Sequence, residues 1–407
     1  MYIIYYTNFG RDSAPAIGVE GNPSAPGPPL PLQVTRKAGA DGRTLVIRSA
    51  MMALALLIGS ALAPAMPAYA QEEPVADERW LDVGETGFGT GRLVLASACP
   101  EACPWGELGE FVRDSMEPAG YEIILCRNCN RAEGPRIVGK ADFPPPLVKG
   151  DFEHGTTHRV KAPIDFGITE ASMMEWAYKG EHIYAKDGPY RNLRLIARIE
   201  DPTYLLVAVK PELGIRSLAE IRERKLPVRI LIPGQPTEWP VLDYFGLDRE
   251  SVESWGGSVG MPDEITLDTR FDVIVSSLAS PANNPESAFW TTLTVAHDLE
   301  FLDLPEDLLD RLVKDTDMIR TTARWGILRG VDRAIPTVGR SGEVVFARDD
   351  MPDQVAYDAA KAIDQNRGDL KWFVRPYSLD PRTVTDGGDV PLHPGAERYY
   401  REVGYMN

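Results

Sequence analysis

Four cysteines, Cys99, Cys103, Cys126 and Cys129, are the residues of this chain whose type and spacing point most directly to chemistry. In an oxidising compartment they read as two disulfides. The alternatives are a tetrahedral thiolate site for a metal and a set of free or redox thiols. Cys99 closes one apolar run and Cys126 closes the next, so neighbouring strands favour the pairing Cys99–Cys126 with Cys103–Cys129, one of the three connectivities that four cysteines allow. Cys126-x-x-Cys129 alone is a weak redox signal, because a reactive thiol sits exposed at a helix start.

The polar candidates gather at loop positions. Trp105, Gln235, Thr237, Glu238 and Trp239 fall at two expected helix openings, where backbone N–H groups receive a carboxylate at little reorganisation cost. Glu238 opposes an acid there unless it meets the ligand's amine or a cation. Arg127, Arg131, Arg194 and Arg324 are candidates to neutralise an anion by bidentate pairing. Asn128 and Asn130 are turn formers that also present side-chain amides. Ser276, Ser277 and Asn283 follow one central strand; Thr169 and Glu170 hold the matching place after another. His154, His158, His182 and His297 share no metal-ligand spacing, and His393, followed by Pro394, reads as a structural latch. There is no Gly-x-Ser-x-Gly elbow, no Gly-x-x-x-x-Gly-Lys loop and no His-Glu-x-x-His, so the expectation is no covalent chemistry, no cofactor and no metal.

The elements that must position these residues follow a repeated grammar. Leu93-Val94-Leu95-Ala96-Ser97-Ala98 is a buried strand, Leu108, Phe111 and Val112 share one face of a helix stopped by Pro118-Ala119-Gly120, and Tyr121–Leu125 is the next strand. Strand, helix, strand at that spacing is a parallel crossover unit. Ile164–Thr169 feeds a helix over 170–180, and Leu193–Ile199 and Tyr204–Val209 are further strands. Ser217 with Glu220 forms a capping box. A second unit starts at Val228–Ile232, with Phe271–Ser277 as its central strand, and Ile335–Gly339 with Val344–Ala347 reads as the return to the first. Two open α/β sheets would then face each other through loops at the carboxyl ends of their strands, where such folds bind ligands. The domain reading is 90–208 plus 340–407 for lobe one and 209–339 for lobe two, with crossings near 205–210 and 336–346.

The first 70 residues stand apart. Arg48, the apolar run Ala50–Ala63 and the exit Ala68-Tyr69-Ala70 form a cleavable secretory signal over 51–70, too short for a comfortable membrane span. Residues 1–50, rich in Pro and Gly and without periodicity, read as a non-native N-terminal extension. The full chain carries a net charge of −17. Residues 1–70 hold five basic against three acidic side chains, so the mature part is more acidic still. Such a balance disfavours general nucleic-acid binding, which needs a basic face.

The tail Pro391-Leu392-His393-Pro394-Gly395-Ala396-Glu397-Arg398-Tyr399-Tyr400-Arg401-Glu402-Val403-Gly404 resembles the closing signature of the TAXI-type solute-binding subunits of TRAP transporters. Leu193–Ala197 before Tyr204–Val209, Gly214–Ile221, and Phe166-Gly167-Ile168-Thr169 ahead of Ala177-Tyr178-Lys179-Gly180 support it, over nearly all of residues 90–404. The resemblance implies a type II periplasmic binding fold: two lobes, each a mostly parallel sheet flanked by helices. It also implies a periplasmic receptor that closes on a small organic anion, a dicarboxylate or amino acid, and delivers it to membrane permease subunits. The chain departs from the family at Cys99–Trp105, Cys126–Ala132 and Gly234–Trp239, so ligand identity does not carry over. Two rival readings are a secreted thiol- or metal-dependent enzyme built on the cysteine cluster and a sensory binding protein without transport.

Overall fold

The computed structural model describes residues 79–407 apart from 98–103, 130–131, 154, 235–236, 263, 280–287 and 374–377. The chain divides into Met1–Gln71 and Glu72–Asn407. The signal over 51–70 and the extension 1–50 lie outside the described residues.

In chain order the strands are β1 (Trp80–Leu81), β2 (Arg92–Ala96), β3 (Glu122–Cys126), β4 (Arg159–Val160), β5 (Phe166–Glu170), β6 (Leu193–Arg198), β7 (Tyr204–Val209), β8 (Arg229–Leu231), β9 (Ser258–Gly260), β10 (Val273–Leu278), β11 (Glu300–Leu302), β12 (Ile319–Ala323), β13 (Ile335–Gly339) and β14 (Glu343–Arg348). Most of them build two five-stranded sheets, ordered β3-β2-β5-β14-β6 and β9-β8-β10-β7-β11. In each sheet four strands run parallel and one, β14 or β7, runs antiparallel to both neighbours. Counted within its own half, each sheet has the same order: second, first, third, crossing strand, fourth.

Why these segments are central strands is visible in their side chains. Leu93 and Leu95 of β2 enter one core and Val94 and Ala96 the opposite one. In the second sheet Leu205, Val207 and Val209 of β7 enter one core while Tyr204, Leu206 and Ala208 enter the other. Strands buried on both faces read as unbroken apolar runs instead of alternating ones. Each fully buried Leu or Val contributes about 1.5–3 kcal/mol. Helices cover both faces; among them Asp353–Gln365 sends Val355, Ala359 and Ile363 into the core that holds Leu93 and Leu95.

The boundary between the halves differs from the sequence expectation. Tyr204–Val209, read as the end of lobe one with a crossing at 205–210, pairs instead with β10 and β11 inside the second sheet. Ile335–Gly339, read as a return to lobe one, pairs with β12 and packs beside β7, where the Thr337 hydroxyl donates to the Leu205 carbonyl. The crossings are the short stretches 199–203 and 340–342. Apolar runs cannot reveal which sheet they join, and only the polar Glu200-Asp201-Pro202 marks the first crossing.

Candidate strand-tip site

Register fixes where a site can form. Tyr204, the first residue of β7, lies opposite Leu278, the last of β10, and Glu343 at the start of β14 lies opposite Glu170 at the end of β5. Each crossing therefore joins the carboxyl ends of one sheet to the carboxyl ends of the other. Those ends open on the same crossing region.

On the first sheet the tip of β3 is a tight turn. Cys126 and Cys129, each 1 % exposed, form a disulfide with each other. This corrects the expected Cys99–Cys126 and Cys103–Cys129 pairing; Cys99 and Cys103 lie outside the described residues. The local link wins because Asn128 adopts a left-handed conformation (φ 57°) that folds the chain back within three residues. Asn128 is buried, and its amide donates to the Thr156 hydroxyl at 2.7 Å. Cys129 N–H donates to the Ser97 carbonyl at 3.0 Å, which lays the turn across the end of β2. Arg159 braces the turn from beneath, donating to the Arg127 carbonyl at 2.9 Å while pairing with Asp151 at 2.8 Å, both side chains almost fully buried.

Arg127 is committed to its own lobe through an ion pair with Glu110 of the helix Pro104–Met116. Trp105 lies in the first turn of that helix. Thr169 is buried near the end of β5, and Glu170 begins the helix Ala171–Lys179. The first two N–H groups of that helix are occupied, Ala171 donating to the Gly342 carbonyl and Ser172 to the Ser341 hydroxyl, both at 2.9 Å.

The second sheet solves the same problem with a carboxylate. Glu238 is 1 % exposed. Its Oε1 accepts from the Ser276 hydroxyl at 2.9 Å and from Ser277 N–H at 3.2 Å, and its Oε2 accepts from Gly234 N–H at 3.1 Å. Gly234 follows β8, and the two serines precede Leu278 in β10. Glu238 occupies the cap position of the helix Trp239–Phe245 but makes no side-chain capping bond there. Thr237 lies in the turn before it, and Trp239 packs against the core of this half.

Sequence reasoning missed the residues that join the two rims. Arg340, in the second crossing, lies 3.8 Å from Glu170 and 3.7 Å from Glu200. The crossings touch backbone to backbone. A side chain at Gly339 would run into the Thr203 carbonyl, and one at Gly342 (φ +77°) into the Glu200 carbonyl. Thr203 N–H donates to the Arg340 carbonyl at 3.0 Å, and the buried Arg198 donates to the Ser341 carbonyl at 2.5 Å. Gly339 and Gly342 flanking the polar pair Arg340-Ser341 were the available signal, though glycine pairs are common in turns.

Arg324, a candidate to neutralise an anion, lies at this junction, 3.3 Å from Asp201 and 3.9 Å from Asp380. A hydrogen bond from Arg382, with Arg324 nearby, holds Asp380 below the usual carboxylate range. Arg194 pairs with Asp349 at 3.1 Å near the start of β6, at the opposite end of the sheet from the carboxyl tips of the parallel strands. Asn130, Arg131, Gln235 and Asn283 lie outside the described residues. The candidates that the structure brings together are thus Glu238, Ser276 and Ser277 on one rim and Arg127, Asn128, Thr169 and Glu170 on the other.

With Cys126 and Cys129 bonded to each other, the four-thiolate metal site of the enzyme reading has lost two ligands. Among the described residues no group of His, Cys, Asp and Glu could hold a metal ion, and no helix is long and apolar enough to cross a membrane.

Among solved structures, a TctC solute-binding protein from Polaromonas aligns at 10 % identity and TM-score 0.35, over 77 % of this chain and 98 % of its own. A Rhodopseudomonas palustris protein with adipate aligns at 12 % identity and TM-score 0.34, over 77 % and 95 %. MatC from the same organism, with bound malate, aligns at 12 % identity and TM-score 0.31, over 77 % and 97 %. Likeness at this level says nothing of what this chain binds. The NMT1-like family model matches residues 159–404, well over half of the chain, a span that holds the tail signature, the β5–β7 motifs and the entire second sheet. The chain therefore belongs to the NMT1-like family, with the two-lobed type II periplasmic binding fold.

Proposed function

We propose that this protein is the extracytoplasmic receptor of a TRAP-type secondary transporter, closing its lobes on a small organic anion, a dicarboxylate or an amino acid, and delivering it to membrane permease subunits. The observation that carries the reading is the direction of the two crossings, which turn the carboxyl ends of both sheets toward one region. A guest received there would touch Thr169, Glu170, Arg127 and Asn128 from lobe one and Ser276, Ser277, Thr237 and Trp239 from lobe two. Lobe one would comprise 90–203 plus 340–407 and lobe two 204–339, the cut following the sheets. Rotation about the crossings 199–203 and 340–342 would shut the gap.

The secretory pattern at 48–70 supports export and a periplasmic location. A disulfide at Cys126–Cys129 fits an oxidising compartment. The test is a thermal-shift screen of the purified protein against dicarboxylates, amino acids, aromatic acids and cations. A solute that binds only the folded state raises the midpoint by mass action. At least one such solute is expected; a flat response across the whole panel would refute the receptor reading.

A further inference from the structure

We propose that the second rim carries a carboxylate-binding cradle already filled by the chain's own Glu238. In consequence lobe two rejects a ligand acid and accepts the neutral or ammonium-bearing end of the guest. The inference rests on the receptor reading above for its ligand, but not for the cradle itself.

Among the described residues, three donors converge on the cradle from two strands: Gly234 N–H after β8, and the Ser276 hydroxyl and Ser277 N–H near the end of β10. This is where an open α/β sheet offers polar groups to a ligand. Three donors directed at two oxygens is the arrangement by which proteins hold a carboxylate. Glu238 reaches them from its own loop, and at 1 % exposure its charge is held away from bulk water. The serines are fixed in turn: Ser276 is 2 % exposed, and the Ser277 carbonyl accepts from the indole of the fully buried Trp290 at 3.2 Å. An entering acid would find the donors spent and a like charge behind them, in a setting where water screens little.

The crossing region adds to that bias. Glu170, Glu200 and Glu343 lie at the tips of lobe one and on the crossings, and Glu200 and Glu343 are buried. Arg340 and Arg198 are placed among them, and Arg324 lies beside Asp201 on the first crossing. A dicarboxylate bridging the lobes would need acid-receiving donors on both rims, and the donors of this cradle are taken by Glu238. A guest with one carboxylate and one ammonium group needs them on one rim only. Within the anion class the structure therefore points to an amino acid or another zwitterion in preference to a dicarboxylate.

Two measurements test this. In Glu238→Ala the donors remain and a space the size of acetate opens. Acetate is expected to raise the thermal midpoint of E238A with saturation in the millimolar range, while the wild type shows only the small drift given by an equal concentration of chloride. Acetate moving both proteins alike, or moving neither, would overturn the cradle whatever the receptor binds. If E238A folds in no salt, Glu238→Gln decides, since it keeps the shape and removes the charge. Matched solutes are then compared by calorimetry: 4-aminobutyrate against succinate, and glutamate against glutarate. Wild type is expected to favour the amine-bearing member of each pair, and E238Q to gain about ten-fold or more for the diacid. A wild type that prefers the diacids, or an E238Q that leaves the preference unchanged, would overturn the selectivity. A panel silent in both proteins would count against the receptor reading and the ligand class together, while the acetate result still judges the cradle.

Discussion

The rim of the first sheet is held by a covalent link and a buried ion pair, whereas the rim of the second is held by one carboxylate. Cys126–Cys129, the left-handed Asn128 and the Arg159–Asp151 pair fix the first rim by contacts that no guest could replace. Glu238 fixes the second through donors that a guest carboxylate would also use. The two halves share a strand order but divide the labour: one supplies a rigid wall, the other sets which charges may approach.

Several substitutions would break or sharpen that contrast. The largest effect belongs to Asp151→Ala, which removes the carboxylate 2.8 Å from a guanidinium that is 2 % exposed. Removing one member of a buried pair costs about 3–5 kcal/mol, so urea unfolding should show a loss of that size. A loss below about 1 kcal/mol, the range of exposed pairs, would mean the first rim is not braced as described.

Next comes Gly342→Ala at the crossing. It combines a positive φ with a collision against the Glu200 carbonyl, and an expected loss of about 2–3 kcal/mol would show that the crossings need their close approach. Stability unchanged from wild type would contradict the backbone contact.

Replacing Cys126 and Cys129 together by alanine opens a loop of four residues and should cost about 2 kcal/mol on the chain-entropy account. Ligand selectivity should survive it, because selectivity is assigned to the other rim. A changed order of ligand preference in the double variant would erase the contrast.

The smallest effect concerns His393, which lies in neither rim. Its Nδ1 accepts Gly395 N–H at 3.2 Å at the start of the helix Pro394–Glu402, a role that only the neutral ring can fill. Burial pulls its pKa below 6.5, against the pull of Asp353. The unfolded chain then takes up the proton first. The contribution is complete above the unfolded value and fades as pH falls through it toward the lowered folded one. Loss of the cap is worth about 1 kcal/mol. Stability measured from pH 7.5 down to 5 should decline less steeply in His393→Asn, which still caps but does not titrate; equal slopes would dismiss the latch.

How much of this was legible in the sequence varies with the kind of contact. The central strands of both sheets were legible, because strands buried on two faces write themselves as runs such as Leu93–Ala96 and Tyr204–Val209, whereas the three-residue edge strands β9 and β11 were not. The allocation of the apolar runs was not: β6 and β7 both read as buried strands, and only pairing tells that one ends the first sheet while the other lies inside the second. At the site, Glu238, Ser276 and Ser277 were singled out separately, yet nothing in their spacing of 38 and 39 residues announces that they meet. The cysteine pairing failed for a conformational reason, since the φ of Asn128 decides whether Cys126 can reach Cys129. Arg340 went unnoticed because one arginine in an acidic chain looks like any solvated one until Glu170 and Glu200 flank it.

The claim on which the rest depends is that the two rims border one gap able to shut. Small-angle X-ray scattering of the purified protein, recorded without and with a saturating amount of a solute that raises its thermal midpoint, tests this directly. The account predicts a smaller radius of gyration in the bound state, reversed on dialysis. A solute that stabilises the protein fully while the radius stays the same would contradict it.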